Sequence, residues 1–99
     1  MSGSTELEKF TDEIIEKSIQ IGYTPHIFCR MREQRGTVEA MRNLVVSSEI
    51  QSGFKRLKEL DRLELSIEAA ILKFPDEFTS EERDAARWRL EQAGAQNDL

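Results

Sequence analysis

His26 and Cys29 stand three residues apart in a stretch punctuated like a helix, a spacing at which two side chains on one face can share a metal ion. Zinc wants four ligands, drawn mostly from cysteine and histidine, and this chain has one of each. Two carboxylates would have to complete the set, so the pair reads as a partly buried thiol beside a surface imidazole. As nucleophile and base the same two residues face no obvious oxyanion donors and lack a group to orient the ring. Carboxylates at four-residue spacing, Glu64 with Glu68 and Asp12 with Glu16, arise by composition alone among 19 acidic residues. General acid chemistry needs one member of such a pair desolvated, and these fall on faces expected to meet water. The five glycines form no GxGxxG or GxxxxGK[ST] phosphate loop. The expectation is therefore no catalytic residue, no metal ligand set and no cofactor; a small enzyme is the remotest of the readings.

Charge is the more informative chemistry. Between Gly22 and Lys58 the chain carries Arg30, Arg32, Arg35, Arg42, Lys55, Arg56 and Lys58 against Glu33, Glu39 and Glu49, a net of +4 flanked by segments of −3 and −6. Segregated charge shapes the field of a small domain and so its choice of partner. Arg32, Arg35 and Arg42 flank a helix-turn-helix-like join at Gly36-Thr37, with Lys55, Arg56 and Lys58 following, and such clusters can neutralise phosphates. A net charge of −5 repels a polyanion at long range, and helix-borne cations often pair with nearby glutamates. These six cations are a candidate interaction face for a protein or, alternatively, for nucleic acid. Trp88, between Arg87 and Arg89, is either the buried anchor of the last helix, the commoner fate, or an exposed hot spot of an interface.

The elements that position these residues can be read from caps and periodicity. A first helix spans residues 5–21, with Ser4 or Thr5 as cap, a stripe of Leu7, Phe10, Ile14 and Ile21 widened by Ile15 and Ile19, and Gly22 as its stop. Thr24-Pro25 opens a second, ending at Gly36, with Ile27, Phe28 and Met31 as its apolar face. A third follows Thr37 with Val38, Met41, Leu44 and Val45, and dissolves into Ser47-Ser48. After a loop at 50–53, a fourth carries Phe54, Leu57 and Leu60. Leu63 and Leu65 suit a brief extended connector. Ser66 caps a fifth helix with Ile67, Ala70 and Ile71 inward, stopping before Pro75. Thr79-Ser80-Glu81-Glu82 is a capping box for a sixth, which runs to Gly94 and leaves residues 95–99 as a flexible tail.

Ninety-nine residues suffice for one domain with a modest core, and 38% hydrophobic with 33% charged content places the chain in the globular range. A single cysteine precludes an internal disulfide. The first ten residues, MSGSTELEKF, lack the apolar run of a signal peptide, and no stretch approaches the ~20 apolar residues that span a bilayer. A cytoplasmic protein with no membrane contact is expected.

The order Gly22-Tyr23-Thr24-Pro25, Phe28, Met31, Gly36, Val38-Glu39-Ala40, Leu44, Gly53-Phe54, Leu57, Arg62-Leu63, Leu65-Ser66, Glu68-Ala69, Phe78-Thr79, Glu81-Glu82 and Arg89-Leu90 resembles a short helical module of bacterial proteins. That module occurs alone or at the C-terminal end of longer chains, some linked to nucleic-acid processing or defence systems. The likeness covers about residues 22–90 and carries no catalytic motif. It departs at Lys58, where an aromatic commonly follows the leucine, and it implies an accessory or adaptor role in a bacterial cytoplasm.

The sequence reading is an all-α, compact bundle of five to six short helices, with residues 1–21 as a helix that caps the bundle or pairs two copies, and 22–94 as the module proper. Its expected function is a non-catalytic adaptor whose partner is a protein, either a larger enzyme of the same system or a second copy.

Overall fold

Capping chemistry places many of the helix ends, though the helix expected to open at Thr24-Pro25 begins one residue later, at His26, with no side-chain cap hydrogen bond. The computed structural model describes residues 5–46 and 52–97, and among these it holds six α-helices and no strand. They are α1 (Thr5–Gln20), α2 (His26–Arg35), α3 (Thr37–Val45), α4 (Ser52–Glu59), α5 (Ile67–Lys73) and α6 (Ser80–Asn97). The all-α bundle expected from the caps is therefore observed. The expected cap at Ser4, the end at Ser47-Ser48, the loop residues 50–51 and the last two residues of the tail lie outside the described residues.

The inward stripe of α1 is Leu7, Thr11, Ile14 and Ser18, at i, i+4, i+7 and i+11, and all four are buried. The two hydroxyls donate to the carbonyls of Leu7 and Ile14 one turn earlier, each at 2.7 Å, so they enter the core with their donors satisfied. Phe10, Ile15 and Ile21 are half-buried at the margins, but Ile19 is 51% exposed and does not widen the face. The helix closes as expected at Gly22, in the left-handed region at φ 94°, with Tyr23 N–H returning to the Ser18 carbonyl and Gly22 N–H to that of Ile19.

Gly36 serves two helices at once. Its φ of 90° and ψ of 164° lie in a region open essentially to glycine, and this single residue ends α2 through its N–H to Arg32 while its carbonyl accepts from Ala40 in α3. The α2–α3 pair is thus a hairpin with no loop. The end of α4 repeats the hydrogen bonds of the α1 end without glycine: Asp61 takes φ 58°, Arg62 N–H reaches the Leu57 carbonyl and Asp61 N–H that of Lys58.

Residues Leu63–Leu65 form a 3-10 turn rather than an extended connector, with Leu65 buried and Leu63 half-buried. The turn delivers the chain to Ser66, whose hydroxyl accepts from Ala69 N–H at 3.1 Å and donates to the Leu63 carbonyl at 2.7 Å. A second 3-10 turn, Pro75–Glu77, leads to the capping box. There Thr79 N–H donates to Glu82 Oε1 at 2.8 Å and Glu82 N–H to Thr79 Oγ1 at 3.2 Å, as the sequence requires. Helix α6 continues through Gly94 to Asn97, three residues past the expected stop, because a glycine inside a helix costs only ~1 kcal/mol and need not end it.

Helices α5 and α6 make one close pair, α2 and α3 the other, and α1 lies across the Leu63–Leu65 turn and α5. Leu7, Met41, Val45, Ile71 and Ala86 are sealed from solvent where these layers meet. The radius of gyration, 12.7 Å, matches the ~13 Å of a packed 100-residue domain, so the short helices share one core.

Candidate functional site

The residues with catalytic or metal-binding potential are dispersed. His26 is exposed and Cys29 half-buried, the arrangement expected of them, and burial pushes the Cys29 thiol above its ordinary pKa. Among the described residues no group of three or more histidine, cysteine or acidic side chains is placed to hold a metal ion. Of the carboxylate pairs, Glu64 is exposed and held below the usual carboxylate range by the hydrogen bond from Arg62, whereas Glu68 is 97% buried. Asp12 is bound to Arg32 and Glu16 is exposed.

The basic segment does not form one free surface. Arg32 is half-buried and tied to other helices: its Nη2 lies 2.8 Å from Glu8 Oε1, its Nη1 2.8 Å from Asp12 Oδ1, and its Nε donates to Thr37 Oγ1 at 2.8 Å. Thr37 completes the ring by donating to Glu8 Oε1 at 2.7 Å. One guanidinium thus ties α1 to the α2–α3 hairpin. Arg42 likewise joins α3 to the start of α6, with Nε 3.3 Å from Glu82 Oε1 and Nη2 donating to the Glu77 carbonyl at 3.4 Å. That Nε is buried yet outside hydrogen-bond geometry. Arg56 pairs with Glu59 on its own helix, Lys58 is half-buried, and Arg35 and Lys55 are exposed with no ion pair to a described residue.

The Arg32 cluster has a pH signature. Glu8 is held below the ordinary carboxylate range, first by its hydrogen bond from Arg32 and also by that from Thr37. A carboxylate with a depressed folded pKa contributes stability that is fully present above its unfolded value of about 4.3 and is lost as pH falls through the folded one. The Glu8 side chain is 45% exposed, so solvent screening keeps the contribution below about 1 kcal/mol. Stability measured by urea unfolding from pH 6 to pH 3 is expected to fall less steeply in Glu8→Gln than in the parent; equal slopes would remove Glu8 as a source of the acid sensitivity.

Trp88 is 56% exposed, not buried as the commoner fate would have it. The residue that turns inward is its neighbour. Arg89 is 94% buried, and its Nη1 donates to Glu68 Oε2 at 2.8 Å and to the Leu44 carbonyl at 3.2 Å, joining α6, α5 and α3. Sequence reasoning missed this pair. The signal was Ala86, Arg89 and Ala93, one face of α6 in which two small residues leave room for the arginine stem, and all three are buried.

Glu68 also stands in the wall of a cavity of about 190 Å³ between α1, the start of α2, α4 and the start of α5. Ile14, Ile15, Phe28, Leu44, Leu57 and Leu65 give it an apolar lining, with Ser18, Thr24, His26 and Ser66 as further polar contributors. Ile27 lies at its edge, 59% exposed, although its spacing had placed it on the inward face of α2. No family model, curated protein or solved structure matches the chain.

No helix among the described residues is long and apolar enough to cross a membrane.

Proposed function

We propose that this chain is a non-catalytic interaction module that docks a protein partner, an adaptor of a bacterial cytoplasmic system as the module-like residue order implies. The observation that carries the reading is the apolar cavity bordered by the exposed Ile27. A concave apolar site with a protruding aliphatic side chain at its edge suits the anchor residue of another polypeptide, the arrangement in which a few buried contacts supply most of the binding energy. At about 190 Å³ it is smaller than the ~300–1,000 Å³ of sites for drug-sized molecules, which favours a single side chain as occupant.

The polyanion reading loses support from the internal ties of Arg32 and Arg42, which leave Arg35 and Lys55 as the clearest free cations of the six. Binding to a short DNA or RNA duplex at ~50 mM salt, where surface charges are only weakly screened, is expected to be absent.

The test is a peptide-display selection on the immobilised protein, followed by amide chemical-shift mapping with the enriched peptides. Enriched sequences are expected to share one large apolar residue and to shift Ile27, Phe28, Leu57 and Ser66. Shifts confined to the Arg35 and Lys55 surface, or no enrichment, would overturn the assignment.

A further inference from the structure

The cavity has one chemical feature beyond its apolar lining. Glu68 is 3% exposed and has two carboxylate oxygens, of which Oε2 is occupied by Arg89. Oε1 receives no hydrogen bond from any described residue. Nor is it sealed away: the one fully buried side-chain polar atom without a partner, among the described residues, is Arg42 Nε. The open oxygen therefore keeps access to solvent from a residue that forms part of the cavity wall. A buried carboxylate has room for about four hydrogen bonds, and an unmet acceptor in an apolar site favours whatever brings a donor to it.

The pair with Arg89 cancels the formal charge, so a second cation gains little at this wall, while a neutral donor gains a charge-assisted hydrogen bond. Its carrier must otherwise be apolar, and small enough for about 190 Å³. Among side chains, indole meets these conditions best: a large apolar body with a single N–H that donates and nothing that needs to be satisfied in return. We infer that the cavity recognises a tryptophan side chain of the protein partner, its ring against Phe28, Leu57 and Leu65 and its N–H donated to Glu68 Oε1. This deepens the docking reading and rests on it.

Free indole is the probe, titrated into the full-length, isotope-labelled protein and read by amide chemical shifts, with indene and benzofuran as ring-matched compounds that lack the N–H. Indole is expected to shift cavity residues and to bind at least about tenfold more tightly than either analogue, the worth of one hydrogen bond to a charged acceptor. Equal affinities would overturn the inference, as would shifts away from the cavity. Because Glu68→Ala alone strands Arg89, the variant used is Glu68→Leu combined with Arg89→Met, which removes both charges together. Once circular dichroism shows it folded, it is expected to bind indole and indene alike; a preserved preference for indole would contradict the role of Oε1. Display-selected peptides anchored by leucine or phenylalanine instead of tryptophan would sink the inference and leave the docking site standing. Concentration-dependent mass in sedimentation that disappears in Trp88→Phe would assign the indole to a second copy and overturn its assignment to a different chain.

Discussion

Replacing Arg89 with alanine is expected to destabilise the fold by about 3–5 kcal/mol, because it leaves the Glu68 carboxylate and the Leu44 carbonyl without their shared donor in a buried site. That is a large part of the about 5–15 kcal/mol by which a domain of this kind is stable. Glu68→Ala should cost a similar amount, since it strands the guanidinium. The two losses are not additive. Removing both charges in the Glu68→Leu, Arg89→Met double variant is expected to restore stability to within about 1–2 kcal/mol of the parent, as apolar replacements of buried ion pairs commonly do. Urea unfolding followed by circular dichroism measures all three. Single variants as mild as surface changes, about 0.5 kcal/mol, would mean that Arg89 is not buried as described.

Deleting residues 1–20 is expected to abolish cooperative unfolding altogether. Helix α1 contributes Leu7 and Ile14 to the core, and truncating either to alanine alone should cost about 2–5 kcal/mol. The deletion also removes Glu8 and Asp12, the carboxylates that hold Arg32. A shortened chain that still melts sharply would show that 22–94 is self-sufficient and that α1 is an added cap. The same packing bears on the idea that α1 pairs two copies: its inward stripe is spent within the chain, and Ile19 is its one large apolar residue more than half exposed.

Much of this architecture can be read from the sequence because helix ends are local chemistry. Gly22, Gly36, Ser66 and the Thr79-to-Glu82 box each act through neighbours within a few residues, and all four perform as their residue types require. The extended reading of Leu63 to Leu65 failed because a period of two in three residues cannot be told from a tight 3-10 turn. Asp61 in the left-handed region left no signal, since most left-handed helix ends are marked by glycine.

Rotation about a helix axis is less legible than its ends. On α5 the buried face includes Glu68 with Ala70 and Ile71 and leaves Ile67 half-buried; on α2 it includes Phe28 but leaves Ile27 at the cavity's edge. In both cases hydrophobicity assigned the inward face, whereas tertiary pairing set it. The basic segment misled for a related reason. Its sum of charges is a property of the chain, but Arg32 and Arg42 find acids supplied by α1 and α6, which no local window contains.

One comparison decides directly which surface the partner uses: the affinity of a display-selected peptide for Ile27→Glu and for the double charge reversal Arg35→Glu, Lys55→Glu. Both changes fall on exposed side chains, so the fold should tolerate them. Docking in the cavity predicts that Ile27→Glu weakens binding at least about tenfold, the order expected for a charge set against an apolar anchor, while the charge reversal leaves it within about twofold. Loss of binding in the reversal variant with Ile27→Glu unaffected would contradict it.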